Sequence, residues 1–291
     1  MHGLNINYKD DEMEKALIMN IQKFSLHDGG GIRTLIFLKG CALHCPWCAN
    51  PESQNHEIEV MRKPSLCIQC SAPSCKACTQ SPEDCPTGAM CEIGEWMDAD
   101  QVVEIAKKDA IFYDASGGGV TFSGGEPMEW SGFIKEAVAR LKEEGLHVAV
   151  ETCGAGPLES YRDLANEVDL WLFDLKIADN ERSKMILGTS FDALFERMMV
   201  LKRAGARVIV RIPLVPTYTA TEKNLVALAG LIQEAGIGEV HLLPFHQYGE
   251  GKYEALNRKY EFSGMDAMKD EEAEEYAEYF RSRGIRVQIG G

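Results

Sequence analysis

Thr34-Leu35-Ile36-Phe37-Leu38-Lys39-Gly40-Cys41-Ala42-Leu43-His44-Cys45-Pro46-Trp47-Cys48-Ala49-Asn50 joins a strand-like apolar run to three closely spaced thiols. The cysteines have C-x3-C-x2-C spacing and follow the strand directly, at the edge where parallel α/β folds place their chemistry. Three thiolates within eight residues complete neither a tetrahedral zinc site nor a four-thiolate iron–sulfur cluster. A fourth ligand must come from His44 or a distant cysteine, or one metal corner stays open to a small molecule.

Outward from this loop, short β-branched runs alternate with helical ones. Strands are expected at Thr34–Lys39, Gly119–Ser123, His147–Glu151, Leu170–Leu175, Arg207–Ile212 and Glu239–Leu243. Helices are expected at Ala99–Ala110, Trp130–Glu144, Tyr161–Val168, Phe191–Ala204 and Thr221–Ala235, where apolar residues recur every three or four positions. Alternating β and α implies a parallel sheet. Six such strands predict an α/β fold of the partial (β/α)6 TIM-like barrel type, and an open doubly wound sheet would give the same pattern.

Residues 53–94 interrupt the rhythm. They hold Cys67, Cys70, Cys75, Cys78, Cys85 and Cys91 but no clear strand or long helix. A segment so poor in apolar residues needs a metal to fold. The chain therefore divides into a barrel, residues 1–52 and 95–291, and a cysteine-rich insertion, 53–94.

Nine of the ten cysteines lie between Cys41 and Cys91, with Cys153 alone. Clustered thiols in a chain read as cytoplasmic point to metal rather than disulfides. Charged residues from Lys9 to Lys15 leave no apolar leader core, and no run is long enough for a membrane span. A formal charge of −15 argues against nucleic acid and anionic membranes as partners.

Other motifs sit at strand ends. Ser123-Gly124-Gly125-Glu126-Pro127 combines glycines, which admit a ligand close to the backbone, with a carboxylate that can accept from an ammonium group. Glu151 and Asp174-Leu175-Lys176 put charge at two further strand ends. Arg211 would carry a permanent charge into the barrel and needs an anionic partner, with Asp28 a candidate.

With Trp47 just before the third cysteine, Cys41, Cys45 and Cys48 resemble the signature loop of the radical SAM superfamily. That resemblance implies a [4Fe–4S] cluster on the three cysteines, with S-adenosylmethionine (SAM) chelating the fourth iron. It places Trp47, Cys48 and Ala49 against the adenine, and Gly124, Gly125 and Glu126 near the methionyl amino group. The segment Asp28-Gly29-Gly30-Gly31-Ile32-Arg33-Thr34 is similar to the opening of glycyl radical enzyme activases, where the pattern is Asp-Gly-Pro-Gly-Ile-Arg-Thr. Gly30 in place of proline loosens this turn. Ser116–Thr121, Asn50–Gln54 and Phe112-Tyr113 extend the likeness from about Asn20 to His246.

By this resemblance Asp28 binds the glycine loop of a partner enzyme, and Glu151 and Asp174 lie by a small cation near SAM. Leu175, Lys176 and Arg211 contact SAM, and His246 flanks the adenosine. Glu151 stands where the family has aspartate. Lys176, Arg211 and Asp28 are the candidate catalytic residues. The insertion resembles the ferredoxin-like segment of longer activases, whose two C-x2-C-x2-C-x3-C-P runs serve two clusters. With six cysteines, this chain is expected to hold one auxiliary [4Fe–4S] cluster drawn from Cys67, Cys70, Cys75, Cys78 and Cys85, leaving Cys91 spare; zinc on two C-x2-C pairs is the alternative. The expected protein is a cytoplasmic monomer that takes electrons from flavodoxin or ferredoxin and acts on a glycyl radical enzyme. Another peptide-modifying radical SAM enzyme, or an iron–sulfur electron carrier, are the rival readings.

Overall fold

Strands buried on both faces gain most by lying side by side under a layer of helices. The computed structural model, which describes residues 14–290, shows that arrangement. In chain order come β1 (Lys15–Ser25), β2 (Arg33–Leu38), β3 (Glu59–Arg62), β4 (Met90–Ile93) and β5 (Glu95–Asp98). Alternation follows: α1 (Ala99–Lys107), α2 (Ala110–Ser116), β6 (Gly119–Gly124), α3 (Ser131–Glu143), β7 (Val148–Thr152), α4 (Leu158–Leu164) and β8 (Leu170–Asp174). Then come α5 (Asn180–Leu187), α6 (Phe191–Arg203), β9 (Val208–Leu214), α7 (Glu222–Glu234), β10 (Glu239–Pro244), α8 (Glu250–Ala255), α9 (Asp270–Arg281) and β11 (Arg286–Ile289).

One sheet runs β11-β10-β9-β8-β7-β6-β2-β1-β5. Its strands are parallel from β2 to β11, while β1 pairs antiparallel with both β2 and β5. Among the described residues β5 and β11 are its free edges, so the barrel stays partial. All six expected strands are present. The pattern misses β1, β5 and β11 because these strands at and next to the sheet edges alternate with polar or charged exposed side chains such as Gln22, Lys23, Glu95 and Arg286. The charged opening that argued against a leader lies largely outside the described residues. No described helix is long and apolar enough to cross a membrane.

The insertion does contain strands. β3 and β4 pair antiparallel, Met61 opposite Cys91, and residues 63–89 form the loop between them. Four-residue strands with charged ends give too short an alternation to stand out in sequence. The local core is Cys75, Ala89 and Met90, packed by Val60, Cys67, Cys78 and Cys85. Thiols supply much of what is buried there.

Period-two alternation fixes what the barrel interior contains. Ala149, Leu170, Leu172 and Ile209 form a small apolar layer inside. Two residues further along the same faces stand Glu151, Asp174 and Arg211. The apolar floor thus gives way to charge toward the carboxyl ends of the strands.

Candidate active site

A cavity of about 370 Å³ opens at those strand ends. Cys41, Cys45, Cys48, Trp47 and Ala49 line it from the cysteine loop, and Gly124 and Gly125 from the turn after β6. Asp28, Glu151, Asp174, Lys176, Arg211 and His246 complete the charged and polar wall. Residues far apart in sequence therefore share one chamber.

Arg211 is the hub of the charge. Its Nη2 lies 3.1 Å from Glu151 Oε1, its Nε 3.6 Å from Asp174 Oδ1, and its Nη1 3.7 Å from Asp28 Oδ1. Lys176 Nζ donates to Asp174 Oδ2 at 2.9 Å. Burial opposes the charge of Lys176, but Asp174 and the neighbouring thiols outweigh it and hold the ammonium above its usual range. Burial raises the pKa of Glu151, against the pull of Arg211. Three carboxylates facing two cations leave a net negative charge, and Asp174 Oδ1 with Arg211 Nε and Nη1 lack hydrogen-bond partners though buried. Such atoms suit a ligand with its own carboxylate and a small cation beside it.

Two of the loop thiols, Cys45 and Cys48, are desolvated. Burial pushes the Cys45 thiol up to about 12 and raises Cys48 as well. A bound metal, by contrast, favours thiolates. Trp47 is buried against Tyr218, ring centroids 5.3 Å apart. His246 stacks on Tyr248 at 4.2 Å, and burial lowers its pKa, favouring the neutral ring.

Two assignments change. Glu126 does not face the cavity: its buried carboxyl accepts from Met128 N at 3.0 Å, Thr152 Oγ1 at 2.7 Å, Cys153 N at 2.8 Å and Cys153 Sγ at 2.9 Å. Those four donors occupy it, and it ties the glycine turn to the end of β7. A methionyl ammonium would meet Gly124 and Gly125 instead. Leu175 points away into the outer apolar layer, because alternation along β8 sends Asp174 and Lys176 inward and Leu175 outward.

His44 is exposed, and its Nδ1 turns back to Ala42 O at 3.0 Å. It is not placed to complete a zinc site. Cys153 is the distant thiol, lining the cavity within hydrogen-bonding reach of Cys41; its isolation in sequence is the only signal that could have marked it.

From the loop before β2, Asp28 reaches the cavity. Gly29, Gly30 and Gly31 have φ of +122°, +82° and +66°. A proline ring holds φ near about −65°, so Gly30 adopts a conformation proline cannot, which is more than a loosened turn. Arg33, wholly buried, is anchored to β6 by donating to Thr121 Oγ1 and Val120 O, both at 2.6 Å, and the loop is held where Thr121 Oγ1 donates to Asp28 O at 2.8 Å and Arg33 Nη1 to Gly30 O at 3.4 Å. This brings Asp28 beneath Arg211. In the insertion, Cys67, Cys70, Cys75, Cys78 and Cys85 border one small cavity, which Cys91 on β4 does not line.

A model of the Radical SAM superfamily matches residues 35–229. The chain is 37% identical over 276 residues to the pyruvate formate-lyase 2-activating enzyme of Escherichia coli, spanning 95% of this chain and 93% of that one. It is 33% identical to the trans-4-hydroxy-L-proline dehydratase activating enzyme of Clostridioides difficile, with coverage of 94% and 99%. The protein belongs to the radical SAM activating enzymes that generate glycyl radicals. To the benzylsuccinate synthase activating enzyme of Thauera aromatica this activase is 35% identical, covering 96% of its own length and 94% of the relative. A domain of the pyruvate-formate lyase-activating enzyme from Bacteroides vulgatus superposes with a TM-score of 0.50 at 24% identity, covering 60% of the activase and 99% of that chain. A radical SAM methyltransferase from Sphaerobacter thermophilus gives 0.54 at 17%, covering 88% and 66%. These two likenesses concern the fold alone.

The place of Cys153 gives a first expected result. Cys153→Ala should keep the iron content of the wild type after anaerobic reconstitution, since its thiol is committed to Glu126. Loss of about four iron atoms per chain, one cubane's worth, would instead make it the fourth ligand and close the corner.

Proposed function

We propose that this activase places a glycyl radical on a large partner enzyme, using a [4Fe–4S] cluster held by Cys41, Cys45 and Cys48. The observation carrying this reading is that three thiols and a buried, incompletely paired charge cage border the same cavity. When bound, the cluster supplies one electron to the SAM sulfonium, which releases methionine and a 5′-deoxyadenosyl radical able to take hydrogen from a glycine Cα.

The residues of the chain do the positioning. Lys176 and Arg211 attract the SAM carboxylate, while Glu151 and Asp174 accommodate a small cation beside it. Gly124 and Gly125 present bare backbone to the amino group. Trp47, Cys48, Ala49 and His246 border the adenosine. Asp28, on the loop before β2, accepts from the backbone of the partner's extended glycine segment. Walls drawn from the strand ends confine a primary radical that would otherwise take hydrogen from any nearby C–H bond.

In the insertion, residues 53–94, four of Cys67, Cys70, Cys75, Cys78 and Cys85 hold an auxiliary [4Fe–4S] cluster that relays electrons from flavodoxin or ferredoxin, with Cys91 left free. Thiols already provide the local core, so metal binding and local folding are coupled. The protein works as a cytoplasmic monomer.

Anaerobic reconstitution tests this reading. About eight iron and eight sulfide per chain are expected, with a cluster spectrum that changes when SAM is added and 5′-deoxyadenosine released after reduction. A co-expressed partner should then carry a glycyl radical signal. Half the iron with zinc alongside would defeat the auxiliary cluster; an unchanged spectrum without cleavage would defeat the whole reading.

A further inference from the structure

Gly125–Trp130 grips the cysteine loop at four points around Cys41. Gly125 N donates to Leu38 O and Glu126 N to Gly40 O, each at 2.8 Å. Trp130 Nε1 donates to Lys39 O at 2.8 Å. The fourth contact uses a carboxylate: Ala42 N donates to Glu129 Oε1 at 2.6 Å. The other oxygen, Oε2, lies 2.5 Å from His56 Nε2.

A charged acceptor makes a shorter and stronger bond to a backbone N–H than a neutral one. Here it acts on the amide immediately after the first cysteine. His56 comes from the segment that follows the loop, so it draws both ends of the motif onto one side chain. Gly40 makes this possible. A Cβ there would lie 2.4 Å from the His56 ring, and φ is +108°, so only glycine admits the imidazole.

We infer that Glu129, backed by His56, is a positioning residue that fixes the root of the Cys41–Cys48 loop so that its three thiols keep their places around the cavity. The inference rests on the cluster assignment proposed above. Without this acceptor the Ala42 amide loses its partner and the loop can turn about Gly40. The cluster would then be held less firmly and its open corner would no longer face the SAM cavity.

Wild type, Glu129→Ala, Glu129→Gln and His56→Ala should be reconstituted anaerobically and desalted, and their iron measured beside the electron paramagnetic resonance spectrum of the reduced protein with and without SAM. Glu129→Ala is expected to fall to about half the wild-type iron, the share of one of two cubanes, and to lose the SAM-induced spectral change. Glu129→Gln keeps an oxygen for Ala42 N and should recover most of both. His56→Ala should fall between them. Glu129→Ala indistinguishable from wild type, or Glu129→Gln no better than alanine, overturns the inference. If far-UV circular dichroism shows Glu129→Ala unfolded, His56→Ala decides, since its half-exposed side chain can be removed without opening the core, and wild-type behaviour there overturns the inference too. A wild type with no SAM-responsive cluster would defeat the underlying assignment instead.

Discussion

Arg211→Met should cut SAM cleavage severely and make the fold's stability depend steeply on pH. Among the described residues Arg211 is the guanidinium ion-paired with Asp28, Glu151 and Asp174, and Lys176 pairs with Asp174 of the three. Breaking a buried charge network by removing one partner costs about 3–5 kcal/mol, because the remaining charges stay desolvated. The carboxylates can escape only by protonation. Burial already lifts Glu151 above the ordinary range while Arg211 pulls it down, so removing Arg211 lifts it further.

The sign follows from linkage. An acid whose pKa is higher in the folded than in the unfolded state binds more protons when native, so stability falls as pH rises through that window. The variant's melting temperature should approach that of wild type near the unfolded carboxylate pKa of about 4.3. It should fall behind as pH rises through the elevated folded value, with the full deficit above it. Calorimetry across pH measures this, and a deficit constant with pH would mean the carboxylates do not depend on Arg211. SAM cleavage should drop by about 10²-fold or more, the scale for removing one preorganised charge contact.

Gly125→Ala is expected to be nearly as severe, for a steric reason. An added Cβ would lie 2.0 Å from Gly40 O and 3.0 Å from Ser53 O. Neither atom belongs to a flexible side chain, so the root of the cysteine loop must move. Overpacking of this kind costs about 1–3 kcal/mol or more, and here the displaced backbone carries the thiols. Melting temperature and reconstituted iron should fall together. Gly145→Ala is the control: that residue has φ of +72° but open space around it, so the variant should lose a little stability and no iron. Gly125 itself is not among the positive-φ glycines, so a Gly125→Ala loss no larger than that of Gly145→Ala, with iron unchanged, would show that the contact with the loop does not limit this position.

Much of this molecule is legible before it folds. Six parallel strands could be placed because each is a short, β-branched run bounded by turns, and such runs have nowhere to go but a shared sheet. The edge strands β5 and β11, and β1 beside β5, escaped because many of their side chains face water. Spacing also separated the two thiol groups, Cys41 to Cys48 after the first parallel strand and Cys67 to Cys91 in the insertion. Cys91 separates from the other insertion thiols only once β3 and β4 pair and set its face.

Charge was harder to read. Asp174 and Lys176 could be assigned inward together, but Leu175 between them could not be, because neighbouring strand residues face opposite sides. Glu126 and Glu129 lie three residues apart in one motif. Nothing in composition says that the first carboxyl is used up in the wall while the second holds the cysteine loop.

The chain's order of residues settled by itself what is local: the three-thiol loop, the glycine turn, the cysteine-rich insertion and the alternation that builds the sheet. Only the tertiary structure decided which charges meet. Arg211, Asp28, Glu151 and Asp174 come from separate segments, and their energies depend on distances and burial that exist once those segments share one interior.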